Sequence, residues 1–332
     1  MNLYGRSLIK VDDLKANEFF YLVKLATTLK HAKQNGVEVP ELVGKKIALI
    51  FEKPSTRTRS AFEVAALDQG AHPVYIGPGE SHLGVEESPA DTGKVLSRMY
   101  DGIEFRGFTQ ESVEGLDQAA DVPVWNGLTD MWHPTQMLAD VLTMTEHTSK
   151  EFGRVVLTYV GDGRNNTARS LLVTGALLGF EIRIVSPKEL TLEDTSVLLA
   201  KQLAENSGAR LVMTENIEWG LHGTDFLYTD VWLSMGEPEE AWKERIDLLR
   251  EYQVNEAMMR ATHNPEVKFM HCLPSLHDQH SATGARLSKL MGTDGVEVTN
   301  EVFSSQASIV FDQAENRLHT IKALMLASLR GH

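Results

Sequence analysis

Apolar stretches of strand length alternate with helical patterns along the chain. Residues 45–51 (KKIALIF) read as a buried strand, and 60–69 (SAFEVAALDQ) as the helix after it. Residues 137–147 continue a helical pattern that opens near Pro134. A second series begins with the strand 154–160 (RVVLTYV), a helix near 167–179 and the strand 181–185 (EIRIV). Further strands are expected at 210–213, 225–230 and 267–271. Such alternation predicts an α/β fold with two doubly wound parallel-sheet domains, one opening near residue 45 and one near residue 154. The polar stretch 146–153 (EHTSKEFG) is the expected hinge.

Composition narrows the class. With 332 residues, two domains are the first expectation. Hydrophobic residues make up 42% and charged residues 23%, as in an ordinary soluble globular protein. The single cysteine, Cys272, excludes internal disulfides and fits a reducing compartment. No apolar run approaches the roughly 18 residues of a membrane span, and 1–10 lack the apolar core of a signal peptide. The expected location is the cytoplasm. A formal net charge of -14 argues against nucleic-acid or anionic-membrane partners. It also means that any phosphate site must be a local basic island.

Such an island is legible at 52–59, Glu-Lys-Pro-Ser-Thr-Arg-Thr-Arg, which follows a buried strand and opens a helix. Ser55, Thr56 and Thr58 offer hydroxyls, Arg57 and Arg59 offer guanidinium donors, and a helix start offers free N–H groups, a combination suited to a dianionic phosphate. The bland reading is a Ser/Thr helix cap with solvated arginines. In His133-Pro134-Thr135-Gln136, Pro134 fits the first helical position, placing His133 and Gln136 at the helix start. Histidine is a poor cap, which favours a ligand-facing role. The loop 161–166 (GDGRNN) resembles a dinucleotide fingerprint, but Asn166 stands where a third glycine belongs and the next strand ends without an acid, so a nicotinamide enzyme is disfavoured. Asp230 to Gly236 and His271-Cys272-Leu273-Pro274 each follow a strand. One cysteine with scattered histidines makes a weak zinc site, and no metal is expected.

Taken together, these motifs resemble the aspartate/ornithine carbamoyltransferase family. Ser55 to Arg59 look like its carbamoyl-phosphate signature and His133 to Gln136 like its second one. Asp230 with Ser234-Met235-Gly236, and His271 to Pro274, look like the ornithine branch. The match runs through Ala314-Glu315-Asn316-Arg317. The resemblance implies two α/β domains with the active site in the cleft between them: 1–149 binding carbamoyl phosphate and 150–314 binding ornithine. A last helix, about 315–332, would pack back on the first. It also implies that Ser55, Thr56, Arg57 and Thr58 hold the phosphate. Arg106 would bridge phosphate and carbonyl oxygen, and His133 would stabilise the oxyanion. Gln136, the Leu273 carbonyl and Arg317 would hold the carbamoyl NH2. Asn166, Asp230, Ser234 and Met235 would clamp the amino-acid end of ornithine, with Cys272 and Asp230 near the attacking amine. Trimers or multiples of trimers are implied as well.

The implied reaction transfers a carbamoyl group to an amine and yields citrulline and phosphate. It needs no cofactor, because carbamoyl phosphate carries its own leaving group. The amine must be neutral to attack, and an alkylamine has a pKa near 10.4, so activity is expected to rise from neutral to alkaline pH. Residues 80–88 depart from the ornithine branch: His82 replaces an expected glutamine and Glu86 an expected lysine. In the family this loop reaches the neighbouring subunit's site, so His82 is a donor-binding candidate and weaker donor affinity is expected. Competing readings are another amine such as putrescine or an acylated ornithine, a catalytically weak paralogue, and an oxidoreductase.

Overall fold

A computed structural model describes residues 1–84, 86–233, 240–292 and 294–331. The chain forms two compact units: Met1–Thr143 with Ala314–His332, and Met144–Gln313.

The first unit contains a parallel sheet of β1 (Lys46–Phe51), β2 (His72–Ile76), β3 (Gly102–Arg106) and β4 (Val124–Leu128), ordered β2-β1-β3-β4. Strand β1 is buried from Ile47 onward, as a central parallel strand covered on both faces must be. Around the sheet stand α1 (Ala16–Gln34), α2 (Thr56–Asp68), α3 (Pro89–Leu96), α4 (Gln110–Ala119) and α5 (Pro134–Glu146). The chain leaves β1 towards β2 on one side, while β3 and β4 lie on the other. The order therefore reverses between β1 and β3, and the loops after them face the crevice where open α/β sheets bind ligands. Between Phe105 and Arg106 the register to β4 slips, so that Phe105 faces Asn126 and Arg106 faces Leu128. Gly127 is passed over, and a Cβ there would come within 2.1 Å of Glu104 Oε1.

The second unit repeats the plan with β5 (Val156–Val160), β6 (Glu181–Val185), β7 (Leu211–Thr214), β8 (Phe226–Tyr228) and β9 (Lys268–Met270), ordered β7-β6-β5-β8-β9 and again parallel. Its reversal lies between β5 and β8. Helix α6 (Asn166–Leu178) follows β5 and is buried from Thr167 to its end. Then come α7 (Thr195–Ser207), α8 (Ile217–Leu221), α9 (Ala241–Leu249), α10 (Glu256–Ala261), α11 (Ala282–Met291) and α12 (Asn300–Phe303). Trp232, Trp242, Ile246, Leu249, Phe269 and Leu287 share one apolar core.

The last helix, α13 (Val310–Leu329), belongs to the first unit from Ala314 on. Its buried Lys322 pairs with Glu38 at 2.5 Å and Asp68 at 2.7 Å. Asn316 accepts from Lys30 at 2.8 Å and donates to Thr143 at 2.9 Å. These contacts seat the turn that carries Arg317.

Candidate active site

In the first unit the candidate donor residues meet at the ends of β1 and β3. Ser55 caps α2, its hydroxyl accepting from the Thr58 N–H at 3.3 Å, so the bland capping reading holds for this residue. Thr58 lies one turn inside and is buried. Its hydroxyl oxygen accepts from Arg106 and from Arg317, each at 2.9 Å. Arg317 also donates to Gln136 Oε1, and its Nη1 lies 3.0 Å from His133 Nε2. Gln136 Nε2 in turn donates to Asp140 at 2.8 Å, which fixes the amide's orientation. Arg57 sits half-buried in the first turn of α2, Thr56 is exposed, and Arg59 turns away to pair with Glu63 and stack on Tyr75.

The state of His133 follows from its neighbours. Burial, and then the positive charges of Arg317, Arg106 and Lys53, hold its pKa well below the ordinary imidazole range. A guanidinium can only donate, so the neutral ring accepts at Nε2 and carries its proton on Nδ1. That N–H is a donor suited to a developing oxyanion. The same reasoning refines Arg317: having no acceptor, it can act on a carbamoyl NH2 only by orienting Gln136 Oε1.

Two further residues enter the donor half. Lys53 is buried beside Phe108, its ammonium 4.8 Å from the ring centre. Burial and the repulsion of Arg106 lower its pKa to about 8. It stands inside the 52–59 motif, where the hydroxyls and arginines drew attention first. Glu104, on the same face of β3 as Arg106, is fully buried, and neither carboxyl oxygen has a hydrogen-bond partner. Burial pushes its pKa well up against the pull of Arg106 and Arg317. Only its place two residues before Arg106 signals it in the sequence. His82 lies elsewhere in the unit, exposed, with Nδ1 2.9 Å from the equally exposed Glu86.

In the second unit, candidate acceptor residues meet at the ends of β5, β8 and β9. Asn165 caps α6 by accepting from the Thr167 N–H at 2.7 Å, and Asn166 follows it, half-buried. Asp230 is buried after β8. Its Oδ1 accepts from the Val231 N–H at 2.8 Å and from the Cys272 thiol at 3.1 Å. Asp162 is bound by Arg245, which also donates to the Trp232 carbonyl at 3.0 Å, so one guanidinium ties the loop after β5 to the segment after Asp230. Leu273 lies in this unit, at a φ of 57°, its N–H donating to His271 Nδ1 at 2.9 Å. His271 Nε2 lies 3.3 Å from the buried Glu297. Asp230, His271 and Cys272 bring candidate ligand atoms within 4.8 Å of one another. Both ring nitrogens of His271 face protein groups, consistent with a hydrogen-bonded cluster. Ser234 and Met235 lie outside the described residues.

Comparison with known proteins follows the same division. The family model for the aspartate/ornithine carbamoyltransferase carbamoyl-P binding domain matches residues 6–146, and that for the Asp/Orn binding domain matches 154–328. The chain belongs to the aspartate/ornithine carbamoyltransferase family. It is similar to the ornithine carbamoyltransferase of Pyrococcus furiosus, with 37% identity, 100% of this chain and 99% of that one covered, and a TM-score of 0.90. The anabolic ornithine carbamoyltransferase of Campylobacter jejuni gives 31%, coverage of 96% and 97%, and 0.86. That of Thermus thermophilus gives 34%, coverage of 98% and 99%, and 0.79.

Proposed function

We propose that this protein transfers the carbamoyl group of carbamoyl phosphate to the side-chain amine of L-ornithine, giving citrulline and phosphate in arginine metabolism. The observation that carries this reading is the buried group of Thr58, Arg106, Arg317, Gln136 and neutral His133, which presents cations, one imidazole N–H donor and one amide oxygen together.

Phosphate binds at the start of α2 through Ser55, Thr56, Arg57 and Thr58, with Arg106 reaching the carbonyl oxygen. The Nδ1–H of His133 polarises that oxygen, while Gln136 Oε1 and the Leu273 carbonyl accept from the NH2. On the acceptor side, Asn166, Asp230, Ser234 and Met235 hold the amino-acid end, and Cys272 and Asp230 stand near the amine. The neutral amine attacks the carbonyl carbon. The tetrahedral intermediate places negative charge on the oxygen facing His133. The bond to the phosphate oxygen then breaks, and the added nitrogen loses its proton. No cofactor enters this scheme.

The protein works in this proposal as a homotrimer or a multiple of it, in the cytoplasm, with domain limits near 149 and 314. The loop bearing His82 contributes to a neighbouring copy's donor site. No described helix is long and apolar enough to cross a membrane. A colorimetric ureido assay with carbamoyl phosphate and either ornithine or putrescine tests the reading. Turnover with ornithine is expected; turnover with putrescine alone would replace the acceptor, and none with either amine would end the proposal.

A further inference from the structure

Thr167 was not singled out by the motifs, yet it touches the centre of the acceptor half. It is fully buried in the first turn of α6, directly after Asn166. Its hydroxyl donates to Asp230 Oδ2 at 2.8 Å and lies 4.0 Å from Cys272 Sγ. A helical threonine often turns its hydroxyl back to a carbonyl one turn earlier. At this position that turn does not exist, because Asn165 is the cap, and the hydroxyl is available for a tertiary bond. Asn165 further fixes the Thr167 backbone by accepting from its N–H.

Asp230 thereby becomes a carboxylate held from two sides. The Val231 N–H and the Cys272 thiol bind Oδ1, and Thr167 binds Oδ2. An ionised carboxylate has about four lone-pair positions. Described residues occupy three, and the direction of what remains on Oδ2 is set by the Thr167 hydroxyl. Tyr159, also fully buried, has its hydroxyl without a hydrogen-bond partner among the described residues. Burial raises its pKa, with the charge of Asp230 adding to the effect. No other neutral hydroxyl in that set bonds to Asp230.

We infer that Thr167 is a positioning residue for the acceptor: it fixes the Asp230 carboxylate so that Oδ2 meets an ammonium group of an amino-acid acceptor in one direction. This rests on the reading that Asp230 binds the acceptor. A valine has the same shape and stiffness but no hydroxyl. It leaves Oδ2 with two unfilled positions and the carboxylate free to turn about its own axis. A serine keeps the donor and loses only the methyl group.

The test is steady-state kinetics of wild type, Thr167→Val, Thr167→Ser and Thr167→Ala, varying ornithine and carbamoyl phosphate separately. Thermal melts identify which variants fold. Thr167→Val is expected to raise KM for ornithine about tenfold, equivalent to about 1.4 kcal/mol. KM for carbamoyl phosphate should stay within about twofold and Thr167→Ser within about threefold of wild type in both. Should the valine variant fail to fold, the alanine variant carries the same expectation. Wild-type KM for ornithine in both hydroxyl-free variants overturns the inference. So does an equal rise in both KM values, or failure of serine to rescue. Absence of wild-type turnover with ornithine instead overturns the functional reading on which the inference rests.

Discussion

In the first unit the gathered side chains are cations held by neutral acceptors, whereas in the second they converge on a single carboxylate. Arg106 and Arg317 share the oxygen of Thr58, and Arg317 leans also on His133 and Gln136. Two unit charges about 4 Å apart at an effective dielectric of about 20 repel by about 4 kcal/mol, an upper guide for such a pair. A dianion relieves that repulsion when it binds, so the donor half is built for its ligand at the expense of the empty state. Asp230 has the opposite task. It must stay available to an ammonium group while a thiol, an amide and a hydroxyl hold it still. The comparison teaches that donor-half changes should act through charge, and acceptor-half changes through direction.

The largest effect should follow from removing a donor-half cation. Arg57→Gly is expected to lower kcat/KM for carbamoyl phosphate by about 10²–10³ or more, with a wild-type melting curve, since a like-charge neighbour is removed along with the phosphate contact. Near wild-type kinetics would dissociate the α2 start from the donor. In the acceptor half, Cys272→Ser should raise KM for ornithine roughly tenfold and leave turnover in place, because the hydroxyl still donates to Asp230. A carbamoyl-thioester trapped on Cys272 would show instead that the thiol attacks the donor.

Lys53 sharpens the contrast through pH. Its pKa of about 8 means that it is charged below that value and neutral above it. Donor binding should therefore weaken as pH rises through about 8, opposing the gain from a deprotonated amine. A profile of kcat/KM for carbamoyl phosphate in Lys53→Met should lack this alkaline fall; an unchanged limb would assign it to another group. The smallest effect is expected in the 80–88 loop. His82 and Glu86 are about three-quarters exposed and pair with each other. Replacing them together (His82→Gln with Glu86→Lys) should lower KM for carbamoyl phosphate only by roughly two- to fivefold, the scale of exposed ion pairs. A KM equal to wild type from pH 6 to 9 would remove the loop from the donor site.

Much of this architecture was readable from β1, β5 and β6, whose apolar runs are unbroken. Three strands of the first sheet were not. Strand β2 is half-exposed, β3 carries Glu104 and Arg106 in its interior, and β4 contains Asn126-Gly127, a pair that ordinarily marks a turn. In β3 and β4 the residues that hide the strand are those that shape the donor site. The motifs located Thr58, His133 and Asp230 but could not show that Thr58 is a shared acceptor, because Arg106 and Arg317 lie 48 and 259 positions away in sequence. Lys53, Glu104 and Thr167 were hidden differently: each is an ordinary residue whose meaning comes only from burial beside a charge.

The first unit is also discontinuous in sequence, and Arg317 lies in its second piece. On a ribosome the strands and the α2 start emerge early. The whole of Met144–Gln313 must be made before Arg317 exists to order His133 and Gln136. At roughly 5–20 residues per second, that interval is on the order of ten to thirty seconds. Throughout it the nascent chain has Thr58 and Arg106 but no guanidinium from α13, so the donor half matures only after the acceptor half has been translated.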